Sequence, residues 1–329
     1  MPAPPLESLE KLGETFGLEA PVEKRRMLVI VNPYATTVSD RLKSLVVHAL
    51  SSRYEVTSFD TQRQGHATEL TREAAREGYD VVVAFGGDGT LNEAANGLAG
   101  TGVPLTHLPG GATNVFCKML GMPGEIVDAT EHLLRIADAW EPRRVDLGQA
   151  NGRCFCASAG FGLDAAVTRA VDLKSHLKHR FGEWYFTYSA IRTFFQHYLV
   201  RPPRVRMEAA DGTVLDGIDL IVQNGDPYTY FDARPLHVAE NSALDSGLLA
   251  GAMLHRATPI DVPTVAYRLF SRKRRLIDHR HITGFSDVAG LTVRAVSGGP
   301  VPLQVDGDWV GDFDEVEFSV LPGALTVVG

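Results

Sequence analysis

Short apolar runs alternate with helical patterns through the first half of the chain, and this alternation restricts the fold more than any other feature. The run MLVIVN begins at Met27 and stops at Pro33, as a buried strand followed by a loop would, and Arg41–Ser51 then fits a helix. A second strand, YEVTSF, a helix over His66–Glu77 and a third strand over Tyr79–Phe85 repeat the pattern. Because strands that alternate with helices pair in parallel, the sequence predicts a parallel α/β sheet.

The third apolar strand runs directly into a turn of small residues. The turn consists of Gly86, Gly87, Asp88, Gly89 and Thr90. Consecutive glycines let backbone N–H groups close on phosphate oxygens, while one carboxylate can hold Mg²⁺. A helix predicted over Leu91–Leu98 adds a dipole that favours anions, and a second Gly-rich turn, PGGATN, opens a helix toward Met119. A tight turn with an incidental Asp is the alternative, but the flanking strand and helix favour a phosphate site at the carboxyl edge of the sheet.

The pattern of predicted secondary structure changes after about Asp146. Short β-type runs are then separated by Gly and Asp turns, which predicts an antiparallel β domain. The runs are CFCASAGFG, RVRMEA, IDLIVQN, LTVRAV, VPLQVDG and EVEFSVL. A helical insertion near 164–200 interrupts this domain, and a second helix with a basic end is predicted over Pro263–Asp278.

Bulk composition indicates an ordinary globular protein with two domains. At 329 residues the chain exceeds the size at which single cores usually stop growing, and 44% of its residues are hydrophobic and 22% charged. It has no apolar run of the ~18 to 20 residues that a spanning helix needs, and its start is acidic and Pro-rich, so we expect a cytoplasmic protein. A net charge of -8 argues against a nucleic-acid partner. Cys117, Cys154 and Cys156 are predicted to be buried free thiols without a metal.

An ordered set of motifs extends over nearly all of residues 27–329. It comprises VNP at Val31–Pro33, Thr61 with Gly65–Ala67, GGDGTLNEAANGL at Gly86–Leu98, the PGGATN turn, Asn224-Gly225, Asp245–Leu249 and VDGD at Val305–Asp308. Together these motifs resemble the diacylglycerol kinase catalytic family, which includes bacterial lipid kinases and sphingosine and ceramide kinases. The resemblance implies a Rossmann-like parallel α/β nucleotide domain over residues 27–145, after an N-terminal extension of residues 1–26, and a C-terminal antiparallel β-sandwich over residues 146–329.

The resemblance also implies which residues bind ATP and Mg²⁺. ATP would lie between the two domains, held by residues at the strand ends and in the two Gly-rich turns: Asn32, Pro33, Thr61, Gly86, Gly87, Asp88, Gly89, Thr90, Asn92, Gly111, Thr113 and Asn114. Asp88 would organise Mg²⁺ and the phosphates. Asp308 stands where the family usually has a Glu that is thought to deprotonate the lipid hydroxyl, and an Asp can also accept that proton. Asp88 and Asp308 are therefore the predicted catalytic residues, although Asp306-Gly307 is also typical of a plain hairpin turn.

Three positions depart from the common pattern of the family. Ala112 and Val115 replace a Thr and an Asp in the second Gly-rich turn, which weakens any transfer of the bacterial diacylglycerol assignment. Ser246 replaces a carboxylate beside Asp245, where several bacterial members bind a structural Mg²⁺. Asp245 is therefore a predicted metal ligand for which a plain surface turn is an equal alternative.

Two local clusters of basic residues point to a membrane contact. The stretch Leu173–Val205 interleaves basic with aromatic side chains, as a membrane-surface helix or the wall of a lipid cleft would, and core packing explains the aromatic residues equally well. Arg272–Arg275, near Arg268 and Arg280, form the second cluster, for which a solvated helix face is the alternative. In an acidic chain these clusters favour a peripheral contact with anionic lipid on the inner membrane face.

The function predicted from the sequence is an ATP- and Mg²⁺-dependent lipid kinase, with diacylglycerol as the first-choice acceptor and a place in phospholipid biosynthesis. Its predicted partner is a lipid substrate at the membrane surface, and a homodimer is one open arrangement. Two alternatives stay open: an NAD kinase, which shares a GGDGT loop, and a non-catalytic nucleotide- or lipid-binding regulator. The VNP opening, the LNEAANGL continuation and the aromatic-basic insertion favour the lipid kinase, and the presence of both Asp88 and Asp308 argues against the regulator.

Overall fold

Parallel strands with helices packed beside them form the first part of the computed structural model, which describes residues 24–173, 183–199, 202–231, 234–239, 242–271, 273–297 and 299–329. The elements are β1 (Arg26–Val31), α1 (Asp40–Leu50), β2 (Glu55–Asp60), α2 (His66–Glu77), β3 (Val81–Gly86), α3 (Asp88–Leu98), β4 (Leu105–Pro109), α4 (Val115–Met119) and α5 (Ile126–Ile136). The strands lie in the order β2-β1-β3-β4 and pair in parallel. Helix α1 packs on α5 and α2 on α3, while β1 and β3 are buried along almost their whole length. Of the predicted N-terminal extension, residues 1–23 lie outside the described part of the chain.

Antiparallel strands dominate the second part. Its elements are β5 (Arg143–Ala150), β6 (Arg153–Phe155), β7 (Ser158–Gly162), α6 (Leu163–Asp172), α7 (Glu183–Thr193), a π-helical turn (Phe194–Tyr198), β8 (Arg204–Ala209), β9 (Val214–Gly217), β10 (Asp219–Gln223), β11 (Thr229–Phe231), β12 (Arg234–Leu236), β13 (Leu249–Leu254), α8 (Asp261–Leu269), β14 (Ile282–Val288), β15 (Gly290–Ser297), β16 (Val301–Val305), β17 (Asp308–Phe313) and β18 (Glu315–Val327). One sheet has the order β14-β13-β10-β7-β16-β17, while β18, β15, β8 and β9 extend the first sheet and β5 pairs with β18 and β6.

The long strand β18 joins the parallel and antiparallel parts. It pairs antiparallel with β5 and β15, and parallel with β4 where Val327 lies opposite Leu105. Because one strand takes part in both pairings, the turn after β3 is held at a fixed position relative to the antiparallel strands. The exact division of the chain at residues 145 and 146 stays a prediction.

An apolar core lies between the two antiparallel layers. Phe161 of β7 and Val305 of β16 belong to it from one layer. Phe155 and Phe318 belong to it from the other, and their rings meet edge to face with centroids 6.4 Å apart. Each fully buried side chain of this kind stabilises the fold by about 1.5 to 3 kcal/mol. The result is a β-sandwich beside a parallel α/β sheet, so the predicted fold class is confirmed, and the three cysteines are buried and free as predicted.

Helix α3 begins earlier than the sequence pattern predicts. Gly87 is still extended, with φ -92° and ψ -173°, and the chain becomes helical at Asp88 instead of Leu91. Gly87 takes the extended N-cap conformation that glycine tolerates well, so the helix can begin at the next residue. Asp88 is therefore part of the helix and not of a loop before it.

Helix α8 ends at Leu269, nine residues before the end predicted at Asp278. The hydroxyl of Ser271 accepts the backbone N–H groups of Lys273 and Arg274, at 3.2 and 3.1 Å, and so satisfies the backbone outside a helix. The described residues of the predicted basic helix end therefore form a loop, and Arg272 lies outside the described part of the chain.

The predicted helical insertion near 164–200 contains α6, α7 and the π-helical turn, with residues 174–182 and 200 outside the described part. Among the helices that the structure describes, none combines the length and apolar character needed to cross a membrane.

Candidate active site

The two Gly-rich turns pack backbone against backbone at the carboxyl ends of β3 and β4. The N–H of Gly110 donates to the carbonyl oxygen of Gly86 at 2.7 Å. A Cβ atom on Gly110 would lie 2.9 Å from the Cα of Gly86, and one on Gly111 would lie 2.8 Å from the Cα of Gly87. Since real Cβ atoms do not approach so closely, glycine is required here by contact between the turns.

Side chains from β1 and α3 support this pair of turns. The Nδ2 of Asn32 donates to the Oγ1 of Thr90 at 3.1 Å, and the N–H of Tyr34 donates to the Oδ1 of Asn32 at 3.0 Å. Thr61 follows β2, where its N–H donates to the carbonyl of Val31 at 2.8 Å, and Pro33 is exposed. These predicted ATP-binding residues thus lie at one edge of the sheet, while their roles stay predictions.

His107 lies beneath the first turn and was not singled out by the sequence pattern. Its Nε2 is 2.9 Å from the carbonyl oxygen of Gly86, and the ring is fully buried. Burial lowers the pKa of His107 to about 4, so the ring is neutral at neutral pH. A neutral imidazole with its ring N–H toward the carbonyl supports the turn without adding charge to the site.

Asp88 occupies the first position of α3 with its carboxyl buried. Its Oδ1 has no hydrogen-bond partner among the described residues. Burial raises the pKa of Asp88 to about 7, and the negative charges of Asp306 and Asp308 add to the shift, while the backbone N–H groups of Val115 and Phe116 oppose it. An orphaned buried oxygen among like charges is an arrangement that a bound cation would stabilise.

Asp308 meets the first Gly-rich turn from the other part of the chain. Val305 and Asp308 pair across β16 and β17, so Asp306 and Gly307, both left-handed with φ 48° and 85°, form a two-residue hairpin turn. A Cβ atom on Gly89 would lie 2.9 Å from the Oδ2 of Asp308. The expected hairpin is therefore present, and it holds the Asp308 carboxylate directly against Gly89.

Asp306 is a second residue of this site, after His107, to which the sequence pattern assigns no role. Its carboxylate accepts four hydrogen bonds, from Asn92 Nδ2 at 2.8 Å and from the backbone N–H groups of Cys156, Ala157 and Ser158 at 2.7, 2.8 and 3.0 Å. Burial raises the pKa of Asp306, and the four donors partly offset this effect. Asp306 thereby ties α3, the start of β7 and the hairpin together; the only sequence signal for it was the Asp-Gly turn.

Asn92 and Glu93, two neighbouring residues of α3, connect this helix to other parts of the chain. The Nδ2 of Asn92 also donates to the carbonyl of Cys154 at 2.8 Å, so its donors are directed at the antiparallel part of the chain. Glu93 accepts the N–H groups of Gly65 and Ala67 at 2.7 and 3.1 Å and so caps α2. The ATP-binding role given to Asn92 stays a prediction.

The second Gly-rich turn is closed by its own Asn. The N–H of Gly111 donates to Asn114 Oδ1 at 3.0 Å, and Asn114 Nδ2 donates back to the Gly111 carbonyl at 2.8 Å. Asn114 is left-handed with φ 49°, which Asn tolerates better than most residues. Thr113 lies half-buried inside this loop.

Asp245 lies exposed in the turn before β13. That turn is held by Asp146, whose Oδ2 accepts the N–H of Gly247 at 2.6 Å and whose Oδ1 accepts the N–H of Gly323 at 2.7 Å. Within the described ranges, no three or more His, Cys, Asp or Glu side chains are placed to hold a metal ion by themselves. The metal role of Asp245 stays a prediction.

The parallel part of this chain is similar to one family of known proteins. The model of the diacylglycerol kinase catalytic domain matches residues 26–150. A diacylglycerol kinase of Bacillus subtilis (strain 168) is 32% identical over 206 residues, covering 59% of this chain and 62% of the relative. A probable lipid kinase YegS-like protein of Pseudomonas syringae pv. syringae (strain B728a) is 34% identical over 159 residues, covering 47% of this chain and 50% of the relative. The sequence matches thus span half to under two thirds of these relatives.

The fold extends this similarity over almost the whole chain. A diacylglycerol kinase from Bacillus anthracis str. Sterne superposes with a TM-score of 0.66 at 22% identity, covering 93% of this chain and 97% of that one. Another chain from the same organism superposes with a TM-score of 0.70 at 25% identity, covering 93% and 98%. Residues 26–150 of this chain thus match the diacylglycerol kinase catalytic domain, and the fold of the chain is similar to that of a solved diacylglycerol kinase.

Proposed function

We propose that this protein is a lipid kinase that transfers the γ-phosphoryl group of ATP to a lipid hydroxyl, with diacylglycerol as the first acceptor to test. The observation that carries the proposal is the contact between Asp308 and Gly89, at which a Cβ would lie only 2.9 Å from the carboxylate. This contact brings a general-base candidate to a turn suited to phosphate. The relatives of this chain that are named as diacylglycerol kinase and lipid kinase support phosphoryl transfer to a lipid as the reaction.

Backbone geometry suits the turn after β3 for the phosphates of ATP. Gly86 and Gly87 carry no side chain that could cover the N–H groups at the start of α3. The N-terminus of this helix of 11 residues concentrates unpaired N–H donors and a positive dipole end. Thr90 places a hydroxyl in the same helical turn, held by Asn32. These groups would position the transferred phosphoryl group and stabilise its charge.

The buried carboxylate oxygen of Asp88 fits a Mg²⁺ site. Mg²⁺ is usually held in phosphoryl-transfer enzymes by one or two carboxylates together with phosphate oxygens and water. Asp88 would supply such an oxygen, and Asp308 lies close enough to raise its pKa. When bound, the ion would neutralise charge on the phosphates and on Asp88.

Asp308 would act on the acceptor hydroxyl. A carboxylate within hydrogen-bond reach of a hydroxyl accepts its proton as the new bond to phosphorus forms and the bond from phosphorus to the ADP oxygen breaks. The hairpin turn places the Asp308 carboxylate against Gly89, so that the base candidate and the phosphate turn are already close together before the reaction. A direct transfer of this kind needs no covalent phosphoenzyme.

A lipid acceptor requires access to a membrane, and one face of the antiparallel part is suited to it. Tyr188, Ile191, Phe195 and Leu199 follow a helical stripe along α7 and the π-helical turn, and they are between 37% and 58% exposed. Ile260, which caps the start of α8, and Tyr267 within the helix are 77% and 66% exposed, and their spacing of seven residues sets them on one side of the helix. Phe194 and Tyr198 of the π-helical turn and Val262 of α8 share a small apolar cluster, so these two segments pack near each other.

Positive charge in this acidic chain is concentrated in the segment that contains α8 and the residues after it. Residues 256–280 contain seven Lys and Arg against two Asp, while the whole chain has a net charge of -8. Near an anionic bilayer each such charge is worth about 1 kcal/mol, and exposed aromatic and aliphatic side chains add apolar burial. We propose that α7, α8 and the loop after α8 make a peripheral contact with anionic lipid.

Radiolabelled phosphate transfer tests the kinase proposal. The protein is incubated with Mg²⁺, labelled ATP and a panel of detergent-dispersed lipids plus NAD, beside Asp88→Ala and Asp308→Asn. We expect label in a lipid, loss of label in Asp88→Ala, and a low kcat with near-normal ATP binding in Asp308→Asn. Label in NAD alone would establish the soluble-substrate alternative, and no Asp88-dependent label in any acceptor would refute the kinase.

Vesicle sedimentation tests the membrane contact separately from the chemistry. Tyr267→Ser combined with Lys273→Glu should weaken binding to phosphatidylglycerol vesicles, and added salt should weaken binding of the unmodified protein. Val127→Ser, which changes an equally exposed apolar residue on α5, is the matched control. Unchanged sedimentation of the α8 variant would make this face a solvated surface, whatever the result of the phosphate-transfer assay.

A further inference from the structure

Helix α6 holds the strand that begins with Asp308. The Oδ2 of Asp172, the last residue of α6, accepts the backbone N–H of Trp309 at 3.1 Å. One turn earlier, Arg169 pairs with Asp312 of the same strand, with 2.7 Å between its nitrogen and the carboxylate. Asp172 and Arg169 are three residues apart, so they lie on one face of the helix. This face is directed at β17, beginning at the residue next to Asp308.

A second connection reaches the residue on the other side of Asp308. The N–H of Gly307 donates to Gln304 Oε1 at 2.8 Å, and Gln304 Nε2 donates to the Oδ2 of Asp164 at 2.8 Å. Asp164 lies in the first turn of α6. Its other oxygen accepts the hydroxyl of Tyr228 at 2.6 Å, so the carboxylate is itself held in place.

The amide of Gln304 uses one acceptor and one donor in this connection. Gln304 is 1% exposed, so neither contact can be replaced by bulk water. A Glu at this position would keep the acceptor for Gly307 but would set a second carboxylate against Asp164. An apolar side chain would lose both contacts. The chemistry of this position therefore requires an amide.

The hairpin needs such support because of its position in the sheet. Among the described strands, β17 is the last of its sheet and pairs on one side with β16. The outer side of β17 therefore has no partner strand among the described strands. Edge strands of this kind are the parts of a sheet that open most readily. Helix α6 contacts this strand and β16 in place of a further strand.

We propose that helix α6 positions Asp308 for proton transfer through two positioning residues, Asp172 and Gln304. The two residues fix Trp309 and Gly307, the chain neighbours of Asp308, and the Asp308 carboxylate lies against Gly89. The inference rests on the proposed kinase reaction with Asp308 as the base. A misplacement of about 1 Å at a reacting group can lower a rate about 100-fold, so small shifts of the hairpin matter.

A double-mutant cycle in the full chain tests the proposal by activity. We expect Asp172→Ala and Gln304→Leu each to lower kcat about 10- to 100-fold, with KM for ATP changed less than about twofold. In an Asp308→Asn background the same changes should lower kcat no further, because the group that they position is already absent. Asp172→Asn keeps an acceptor oxygen for Trp309 and should retain most of kcat. Equal losses in both backgrounds, or an equal loss in Asp172→Asn and Asp172→Ala, would overturn the proposal.

Hydrogen exchange tests the same connection without any substrate. Backbone amide exchange at Gly307 and Trp309 should become faster in Gln304→Leu and Asp172→Ala, while exchange in α3 should stay unchanged. Asp216→Ala, which removes an exposed ion pair with Arg206 at 2.8 Å on β8 and β9, is the control and should leave the hairpin amides unchanged. Hairpin amides that exchange at the same rate in all variants would overturn the inference even if the phosphate-transfer assay establishes the kinase. A protein that transfers no phosphate would refute the proposed function instead.

Discussion

Replacing Asp88 by Asn should stabilise the folded protein above neutral pH and change its stability little in acid. Burial and the charges of Asp306 and Asp308 raise the pKa of Asp88 from 3.8 to about 7. A carboxyl with a raised pKa holds its proton more tightly in the folded than in the unfolded state. The folded state therefore carries no penalty from Asp88 below about pH 3.8, and the penalty grows as the pH rises toward 7.

The size of the effect follows from the shift. One pKa unit corresponds to 1.36 kcal/mol, so a shift of about 3 units is worth about 4 kcal/mol when it is fully developed. Between about pH 5 and about pH 8 the penalty should grow by about 2 to 3 kcal/mol in the unmodified protein. Asn cannot ionise and therefore carries no such penalty. The difference in free energy of unfolding between Asp88→Asn and the unmodified protein should accordingly grow by about 2 to 3 kcal/mol between about pH 5 and about pH 8.

Urea titrations in metal-free buffer at the two pH values measure this margin. Any fixed cost of the substitution, such as altered contacts with the N–H groups of Val115 and Phe116, is present at both pH values and cancels in the comparison. Added Mg²⁺ should narrow the margin at the higher pH, because it can neutralise the carboxylate of the unmodified protein alone. A margin that is equal at both pH values, or larger in acid, would refute the reasoning.

Three further substitutions test contacts at and near the site. Gly89→Ala should lower kcat without lowering the melting temperature, because the new Cβ would displace the Asp308 carboxylate, 2.9 Å away, while alanine favours the helix by up to about 1 kcal/mol; an unchanged kcat would contradict the placement of Asp308. Gly97→Ala should reduce the free energy of unfolding by about 1 to 3 kcal/mol in urea titrations, because its Cβ would meet the Thr71 hydroxyl in the tight contact between α2 and α3. An unchanged free energy of unfolding would mean that the two helices can move apart to admit the new methyl group without cost. Glu93→Ala should cost about 1 kcal/mol by the same measurement and speed amide exchange at the start of α2, since it removes a cap; unchanged exchange there would show that the cap contributes nothing.

The sequence predicts well the parts of the site that local signals determine. The apolar strand before Gly86 and the small residues after it place the turn at the carboxyl edge of a parallel sheet, and the structure has β3 end at that glycine. The Asp306-Gly307 pair predicts a two-residue hairpin turn. Such a turn requires a left-handed backbone at both residues, and the structure has positive φ at both. In both cases a few adjacent residues determine the conformation.

Contacts between distant segments could not be predicted in the same way. Asn92 and Asp306 are 214 positions apart, and an Asp-Gly turn would look identical if its carboxylate faced solvent. Gln304 lies in an apolar run whose pattern indicates a strand but does not show that one face meets the first turn of α6. The end of α8 also differs from its prediction, because the hydroxyl of Ser271 binds the N–H groups of Lys273 and Arg274. These contacts compete with the backbone hydrogen bonds of a longer helix, which the residues of this segment would otherwise allow.

The charges at the site bear on its need for a cation. A site for ATP binds a polyanion, yet Asp88, Asp306 and Asp308 bring three carboxylates to the turn that would hold the phosphates. Asp306 is compensated by four hydrogen-bond donors, whereas Asp88 keeps a buried oxygen without a partner among the described residues. Two unit charges 4 Å apart repel by about 4 kcal/mol at the effective dielectric constant typical of such sites, so ionised Asp88 and phosphate oxygens would destabilise each other there. A divalent cation between them reverses the sign of both interactions, which makes a strict Mg²⁺ requirement the outcome that this arrangement of carboxylates favours.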